Sequence, residues 1–328
     1  MNGQTPSSDL PPAVADLLGL VAQLRQLPDD TFRARLKADL MVRAQAAQPL
    51  AVSGRAGEIE RALAEMAARP QFVPYDLTAA FRDLPEMSMR LLAAMNDCII
   101  GVSRFSTRSQ WERHPAGDEL LYLFDGDMEV TTLTSAGPVV STVRAGSVFV
   151  CPRAQWHRIE PLSPVALVFA TPAEGTEHSG ADRPSSSAPA GVPAATPYPL
   201  QSALDDVRQL VIAESTTRAD ADAAFRQITT FNQATLSIGR FRGRTPWERH
   251  RGGDELLHLL DGEAEITVLT DDGPVHRHIA AGDIFVCPQG LWHRQLARET
   301  VTGFYVTPMP SDISWADDPR HGPHTADS

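Results

Sequence analysis

Two glutamates and two histidines in the first half of the chain have the side chains and the spacing of a metal site. Glu112 and His114 are two residues apart in a segment with the pattern of a β-strand, so their side chains should face the same side. Glu119 follows after a turn, and His157 comes after a later apolar stretch. Imidazole and carboxylate groups are ligands that divalent metals accept. These four residues therefore predict a metal site within β-structure.

The same four side chains occur a second time, 136 residues further along the chain. Their counterparts are Glu248, His250, Glu255 and His293. The same offset relates further pairs, among them Trp111 and Trp247, Gly146 and Gly282, Cys151 and Cys287, and Trp156 and Trp292. A gap-free copy of this length indicates a duplicated domain, so the sequence predicts two sites of one kind.

With these spacings the chain resembles the cupin superfamily. The second copy reads Glu-x-His-(x)4-Glu-(x)6-Gly from Glu248 and Gly-(x)5-Pro-x-Gly-(x)2-His from Gly282. The family motifs are His-x-His-(x)3–4-Glu-(x)6-Gly and Gly-(x)5-Pro-x-Gly-(x)2-His. The first copy has Ala154 in place of the glycine that precedes the last histidine. The resemblance covers nearly all of both β regions, and it implies a bicupin, a protein of two tandem jelly-roll (double-stranded β-helix) barrels.

The resemblance also implies a set of metal ligands. The family commonly holds one divalent metal in each barrel through the histidines and the glutamate of these motifs. Carried over to this chain, the ligands are His114, Glu119 and His157 in the first barrel and His250, Glu255 and His293 in the second. Fe(II) is the favoured metal, and Mn, Ni and Zn remain alternatives.

At one position both copies depart from the family, because its first histidine is a glutamate here, at Glu112 and Glu248. Such a glutamate could be a fourth ligand, which would lower the net charge of the site and weaken the Lewis acidity of the metal. It could instead lie beside a three-ligand site as a base or as a hydrogen-bonding partner of a ligand. Both roles stay open, and Glu112 and Glu248 are the candidate catalytic residues.

Three further histidines fail the test of repetition. His258 should point to the opposite side of its strand from the predicted ligands, and its counterpart is Tyr122. We interpret it as a structural or interface residue. His276 and His278 have no counterparts of the same kind, and we expect the pair on a solvated strand face.

The candidate ligands are embedded in short apolar runs bounded by glycine, proline and aspartate, which is typical of antiparallel barrels. Apolar residues recur at helical spacing before residue 70, which predicts a helical segment there. The fold class is therefore mainly β, with two tandem cupin barrels and an N-terminal helical segment. The predicted organisation is a helical segment at 1–70, cupin domain 1 at 71–173, a flexible linker at 174–196, cupin domain 2 at 197–310 and a disordered tail at 311–328.

The composition restricts the partners of the chain. A net charge of −12 disfavours nucleic acids and anionic membranes, and no apolar run approaches the roughly 20 residues that span a bilayer. Three cysteines do not indicate a disulfide framework, and the first residues lack the pattern of a secretion signal. We expect a cytoplasmic protein with buried thiols and a small-molecule substrate. A homodimer is compatible with the sequence.

Three functions fit these observations. The first is a metal-dependent enzyme that oxidises a small organic molecule, because dioxygenase activity is frequent among the bicupins that this chain resembles. The second is an isomerase, epimerase or lyase, in which the metal is a Lewis acid and the glutamate moves a proton. The third is a non-catalytic sensor or binding protein for a metal or a small molecule. A metal-free structural bicupin is disfavoured because both copies keep the ligand-type residues.

Overall fold

The computed structural model of the protein describes residues 72–184 and 195–322, together with the backbone of two short strands at Leu50–Val52 and Thr325–Asp327. The helical segment predicted for residues 1–70 lies outside the described residues, apart from the strand Leu50–Val52. The described part consists mainly of antiparallel strands in two barrels, which confirms the predicted fold class.

The first half alternates strands with tight turns. Its elements are β1 (Leu50–Val52), β2 (Tyr75–Asp76), α1 (Leu77–Arg82), β3 (Ser88–Met95), β4 (Cys98–Phe105), β5 (Trp111–Arg113), β6 (Glu119–Asp125), β7 (Asp127–Thr134), β8 (Gly137–Arg144), β9 (Ser147–Cys151), β10 (His157–Pro161), β11 (Val165–Pro172) and β12 (Glu177–Ser179).

The second half repeats this order with additional short elements at its start. Its elements are β13 (Tyr198–Pro199), α2 (Leu200–Leu204), β14 (Leu210–Ile212), α3 (Arg218–Ala224), β15 (Phe225–Phe231), β16 (Ala234–Arg244), β17 (Trp247–His250), β18 (Glu255–Asp261), β19 (Glu263–Thr270), β20 (Gly273–Ala280), β21 (Asp283–Cys287), β22 (His293–Pro308), β23 (Ser311–Ser314) and β24 (Thr325–Asp327). Within the described ranges, every helix is too short to cross a membrane.

The sheets of the two barrels differ in continuity. The first barrel has a sheet of order β1-β3-β4-β11-β6-β9-β13 and a second sheet of order β12-β5-β10-β7-β8. In the second barrel β22 is 16 residues long and pairs with strands of both layers, so one 12-stranded sheet results. The first barrel covers the same path with two separate strands, β10 and β11.

The two halves also exchange a short strand each. Strand β13 of the second half pairs with β9, where Tyr198 lies opposite Val148. Strand β2 of the first half pairs with β21, where Tyr75 lies opposite Ile284. Each barrel is therefore completed at one edge by residues of the other half.

Successive residues of the central strands point into two different cores. Leu120 and Leu256 belong to a core that both halves share, whereas Leu121 and Leu257 belong to the interiors of the first and second barrels. Strands alternate their side chains with a period of two, so a strand that is buried on both faces reads as a continuous apolar run. Burying one such leucine contributes about 1.5–3 kcal/mol.

His258 lies in the shared core against its own counterpart. The ring centroids of Tyr122 and His258 are 5.2 Å apart, His258 is 3% exposed, and its Nδ1 donates to the carbonyl oxygen of Asp283 at 3.0 Å. This confirms the interpretation of His258 as an interface residue. The side chains of His276 and His278 are 54% and 63% exposed, as predicted for a solvated strand face.

A pH dependence of stability follows from the position of His258. Burial lowers the pKa of His258 to about 4 from its ordinary value of 6.5. Between these values the unfolded chain takes up a proton that the folded protein does not, so the free energy of unfolding falls as the pH falls from 6.5 to 4. The loss is up to about 3 kcal/mol. We expect a smaller loss in His258→Gln, measured by urea unfolding with chelator at pH 7 and 4.5. An equal loss in both proteins would contradict this origin.

The structure corrects the start of the predicted linker. Residues 177–179, expected within a flexible linker at 174–196, form β12, which pairs with β5. Glu177 accepts a bond from Arg113 at 2.7 Å, so an ion pair holds this polar segment against the first barrel. The polar composition of this segment gave no sign of a strand, because its pairing partner β5 is distant in the sequence.

The structure likewise corrects the start of the predicted disordered tail at 311–328. Residues 311–314 form β23, which pairs with β17. Asp312 is 3% exposed, and it accepts bonds from Arg249 at 2.6 Å and Arg251 at 2.7 Å. A buried aspartate with two cationic partners orders a segment that has few apolar residues. The other predicted domain boundaries stay predictions.

Candidate metal centres

Antiparallel pairing brings the predicted ligands of the first barrel together. Strands β5 and β10 are neighbours, and Glu112 lies directly opposite His157. His114 follows the end of β5, and Glu119 begins β6 opposite Cys151. Residues opposite each other on paired strands share a face of the sheet. The four predicted side chains therefore converge inside the barrel.

Two nitrogens and two carboxylates of the first barrel lie within a few ångströms of one another. His157 Nε2 is 3.0 Å from Glu119 Oε2 and 3.5 Å from Glu112 Oε1. His114 Nε2 is 3.3 Å from the same oxygen of Glu119. His114, Glu119 and His157 are buried, whereas the side chain of Glu112 is 22% exposed. Glu112 thus lies at the solvent side of the cluster.

The second barrel brings its four predicted residues together in the same register. Glu248 lies opposite His293 on β17 and β22. His293 Nε2 is 2.9 Å from Glu255 Oε2, and His250 Nε2 is 3.4 Å from that oxygen. One ligand atom from each of these four residues lies within 4.8 Å of all the others. The second barrel therefore offers a compact set of two imidazoles and two carboxylates.

The first barrel offers a less compact set. Its ligand atoms form two overlapping triads within 4.8 Å, of Glu112 with His114 and His157, and of Glu119 with Cys151 and His157. Burial raises the pKa of the Cys151 thiol to about 11, so it is a neutral thiol at physiological pH. All three cysteines lie in the described ranges and are free and buried, as the sequence predicted.

Backbone carbonyls orient one histidine in each barrel. Nδ1 of His157 lies 3.2 Å from the carbonyl oxygen of Gln155, and Nδ1 of His293 lies 3.3 Å from that of Leu291. A carbonyl can only accept, so both rings donate from Nδ1 and direct Nε2 toward the cluster, where it can bind a metal once it is deprotonated. This is the orientation that metal-binding histidines require.

Two threonines that sequence analysis did not single out hold the buried glutamates. Thr171 Oγ1 donates to Glu119 Oε1, and Thr307 Oγ1 donates to Glu255 Oε1 at 2.7 Å. Both bonds leave Oε2 of the glutamate facing the histidines. Thr171 and Thr307 are related by the offset of 136 residues, and this repetition is the signal that could have found them.

Two other hydroxyl groups contact the remaining histidines. Thr176 Oγ1 lies 3.0 Å from His114 Nδ1, and Ser311 Oγ lies 2.9 Å from His250 Nδ1. The two hydroxyl residues are not related by the offset of the repeat. They belong to the segments that were expected to be linker and tail, so no pattern in the sequence pointed to them.

Buried atoms without partners show what the first site is suited to hold. His114 Nε2, His157 Nε2 and Glu119 Oε2 are buried and have no hydrogen-bond partner among the described residues, although the two nitrogens lie 3.3 and 3.0 Å from that oxygen. The two contacts do not have the geometry of well-formed hydrogen bonds, and a buried polar atom that lacks such a bond costs about 1–3 kcal/mol. A divalent metal would accept lone pairs from all three, so the donor set fits such an ion.

The second site fits a metal with one difference. His250 Nε2 likewise has no hydrogen-bond partner among the described residues, but His293 Nε2 and Glu255 Oε2 form a hydrogen bond of 2.9 Å. A metal would take the place of the proton in that bond, since ligands bind in their deprotonated form. His250, Glu255 and His293 remain an imidazole and carboxylate set suited to a divalent ion.

Charges inside both sites are balanced between histidines and glutamates. Burial opposes the ionisation of Glu119 and Glu255, but the adjacent histidines overcome it and hold the pKa of both carboxyls well below the usual range. Burial opposes the protonation of His293, yet Cys287 and Glu255 outweigh it and raise its pKa to about 10. A divalent cation would neutralise the buried carboxylates of Glu119 and Glu255, as the protonated histidines do without it.

The tryptophans next to the ligands lie on the outer side of their strands. Trp111 and Trp156 pack with Leu133 in a small cluster. Arg158 lies over Trp111 at 4.5 Å from the ring centroid, and Arg113 lies over Trp156 at 4.9 Å. The second barrel repeats the arrangement. These tryptophans are packing residues.

Part of the sequence is similar to a known domain family and to characterised proteins. A family model described as a cupin domain matches residues 242–302. Acireductone dioxygenase from Rhodopseudomonas palustris (strain TIE-1) is 43% identical over 47 residues, which are 14% of this chain and 28% of that protein. The same protein from strain ATCC BAA-98 / CGA009 matches equally. The match thus spans under a third of the length of these relatives.

Solved structures resemble the chain over a larger part of its length. A variant of oxalate decarboxylase from Bacillus subtilis has 14% identity and a TM-score of 0.49, covering 74% of this chain and 79% of its own. A cupin 2 conserved barrel domain protein from Leptotrichia buccalis has 14% identity and a TM-score of 0.47, covering 72% and 96%. At such TM-scores neither likeness carries an argument about function.

Proposed function

We propose that this chain of cupin fold is a metal-dependent enzyme acting on a small organic molecule in the first barrel. The observation that carries the proposal is a cavity of about 400 Å³ in that barrel. Its wall includes Glu112, His114 and Glu119, so it reaches the candidate metal ligands. Small-molecule sites typically have volumes of this order.

The rest of the wall suits a mostly apolar substrate. Its apolar residues include Leu91, Ile99, Leu121, Ile159, Leu167 and Phe169. Met87 and Met89 also line the cavity and are 60% and 44% exposed, which puts them at its mouth. An apolar chamber with a few convergent polar groups is the usual form of a site that binds a small organic molecule.

The interior of the second barrel is filled instead. Phe241 and Tyr305 are 0% and 3% exposed, and the ring of Phe225 lies 5.6 and 5.8 Å from theirs. Phe105 and Phe169, the counterparts of Phe241 and Tyr305, are only partly buried and line the cavity of the first barrel. This difference supports the first barrel as the one that receives the substrate.

One cross-strand pair accounts for much of the difference. Phe225 lies opposite Gly239 in the second barrel, and its ring is so close that a Cβ at position 239 would collide with it. In the first barrel the equivalent pair is Met89 opposite Ser103. The glycine makes room for an aromatic ring, whereas the methionine and serine leave space beside the metal ligands.

Each residue of the first site has a separate role in the proposed mechanism. His114, Glu119 and His157 would hold the metal. When bound, a divalent metal supplies Lewis acidity, or open coordination positions for substrate and dioxygen. We assign proton transfer to Glu112, because its carboxylate lines the cavity, is partly exposed and lies 3.5 Å from His157 Nε2. Glu248, in the compact second cluster, is assigned as a ligand there.

For the reaction we favour a dioxygenase-type oxidation with Fe(II). The short match to acireductone dioxygenase supports this class. The alternative is an isomerase, epimerase or lyase with Mn, Ni or Zn, which the placement of Glu112 beside the cavity supports. A sensor or binding protein is the non-catalytic alternative. The second barrel supports it, because that barrel has a compact set of candidate metal ligands but an interior filled by aromatic side chains, so its site could bind a metal without a substrate.

The test is metal analysis combined with oxygen uptake. We expect the protein, purified without chelator, to contain at least one equivalent of divalent metal by mass spectrometry. Iron with substrate-dependent oxygen uptake, over a panel of small apolar hydroxy and carbonyl compounds, would support the dioxygenase. Zinc or nickel with turnover but without oxygen uptake would support the isomerase or lyase.

The same assays examine Glu112. The Glu112→Gln variant should keep its metal and lose turnover by about 100-fold or more, since general acid–base catalysis contributes at least this much. Loss of metal would make Glu112 a ligand instead. A wild-type protein that contains no metal and does not bind added Fe(II), Mn(II), Ni(II) or Zn(II) would refute the proposed function.

A further inference from the structure

The turn that carries Glu119 is hydrogen-bonded to the opposite barrel. Asp118 precedes Glu119, and its backbone N–H donates to Asn232 Oδ1 at 2.8 Å. The backbone N–H of Asn232 donates in return to Asp118 Oδ2 at 2.6 Å. Asn232 lies in the turn between β15 and β16, so a residue of the second barrel is bonded directly beside a candidate ligand of the first.

The same exchange occurs in the other direction. Asp254 precedes Glu255, and its backbone N–H donates to Asn96 Oδ1 at 2.7 Å. The backbone N–H of Asn96 donates to Asp254 Oδ2 at 2.6 Å. Asn96 lies in the turn between β3 and β4 of the first barrel. Both the asparagine and the aspartate are copied at the offset of 136 residues, so the two contacts are equivalent.

The second oxygen of each aspartate extends the contact to the last histidine. Asp118 Oδ1 accepts from the backbone N–H of Arg153 at 2.8 Å, in the loop that leads from β9 to His157. Asp254 Oδ1 accepts from the backbone N–H of Gln289 at 2.8 Å, in the loop that leads to His293. Each aspartate therefore ties two ligand-bearing segments to a turn of the other barrel.

The backbone at these contacts is adapted to close approach. Asn96 and Asn232 have φ values of 53° and 54°, in the left-handed region where asparagine is among the tolerated residues. A Cβ at Gly117 would lie 2.7 Å from Asn232 Oδ1, and a Cβ at Gly253 would lie 2.5 Å from Asn96 Oδ1. Only glycine beside each aspartate allows the asparagine to come this near.

We propose that each barrel positions the metal ligands of the other. Asn232 sets the segments of Glu119 and His157 through Asp118, and Asn96 does the same in the second barrel through Asp254. The two asparagines are positioning residues, since they act through an aspartate and lie outside both clusters. The proposal rests on the proposed function, because it concerns the same two metal sites.

Replacing each asparagine with glycine tests the proposal. Asn232→Gly removes Oδ1 but keeps the backbone N–H donor, and glycine accepts the positive φ. Asn96→Gly is the matched control, because it makes the same change in the opposite barrel. Hydrogen exchange gives a readout that needs no metal. We expect Asn232→Gly to speed exchange about tenfold in residues 115–120 and to leave residues 251–256 unchanged, and Asn96→Gly to do the reverse.

Metal affinity in single-site proteins gives the second readout. His293→Ala disables the second site and leaves the first, and His157→Ala does the opposite. In the His293→Ala protein, Asn232→Gly should raise the Kd for Mn(II) about tenfold, as loss of partners around metal ligands commonly does, and Asn96→Gly should leave it unchanged. In the His157→Ala protein, Asn96→Gly should raise the Kd for Mn(II) about tenfold, and Asn232→Gly should leave it unchanged.

The outcomes separate this proposal from the proposed function. Effects confined to the barrel that carries the substitution, or equal effects of both variants on both sites, would overturn cross-barrel positioning. If the unmodified protein binds none of Fe(II), Mn(II), Ni(II) and Zn(II), the proposed metal function is overturned. In that case hydrogen exchange still decides whether each asparagine orders the turn of the other barrel.

Discussion

Replacing His157 with alanine is expected to lower turnover about 1000-fold or more, whereas the same change at His293 is expected to leave most of it. Both histidines are buried candidate ligands with equivalent neighbours. The cavity described above borders the cluster that contains His157, and its wall, within the described ranges, contains no residue of the cluster of His293. Loss of metal removes several kcal/mol of charge stabilisation, and about 4 kcal/mol corresponds to 1000-fold. Steady-state kinetics with metal analysis of both variants would measure the difference.

Each of the two variants, His157→Ala and His293→Ala, is the control for the other. Each should lose one equivalent of metal, so that metal content alone does not distinguish them. Urea unfolding with chelator would show whether either change damages the fold. Equal losses of turnover would mean that the second site takes part in catalysis, and a larger loss in His293→Ala would place the substrate in the second barrel.

Introducing the aromatic residue that fills the second barrel into the first barrel is expected to lower turnover strongly without loss of metal. The double substitution Met89→Phe and Ser103→Gly recreates the pair of Phe225 and Gly239 at the equivalent strand positions. A ring in this place would occupy the space beside the ligands that the substrate needs. We expect kcat/KM to fall at least about 100-fold, which is roughly 2.7 kcal/mol, measured together with the metal content.

The reverse exchange is the control for that experiment. Phe225→Met with Gly239→Ser removes the ring from the second barrel and should leave turnover close to that of the wild type. Repacking a barrel interior costs about 1–3 kcal/mol, so unfolding curves must show that both double variants are folded. Unchanged kcat/KM after Met89→Phe and Ser103→Gly would remove the cavity of the first barrel from the proposed mechanism.

The convergence of the candidate ligands could be predicted in part from local rules and in part from the motifs of the family that the chain resembles. Strand alternation puts Glu112 and His114 on one side, and the repeat showed that the same spacing occurs at Glu248 and His250. The structure adds the register, in which each of the two glutamates faces the last histidine of its own barrel. Spacing within a strand says nothing of the partner strand, which is why the ligand or base role of Glu112 stayed open.

The difference between the barrels depends on pairs that are distant in the sequence. Phe225 and Gly239 are individually unremarkable, and only their pairing shows that the ring fills the barrel. The contact of Asp118 with Asn232 spans 114 residues, so no local pattern indicates it. Both residues are copied in the repeat, however, and a comparison of all copied polar residues would have singled them out.

The exchanged strands β2 and β13 have a consequence for synthesis on the ribosome. The first barrel lacks an edge strand until residues 198–199 have emerged, and β2 waits for its partner until residues 283–287 have followed. An unpaired edge exposes backbone donors and acceptors to other chains, and pairings of such long sequence separation form slowly. We therefore expect that a gene fragment that encodes one barrel alone yields a chain with an unpaired sheet edge that is prone to aggregation.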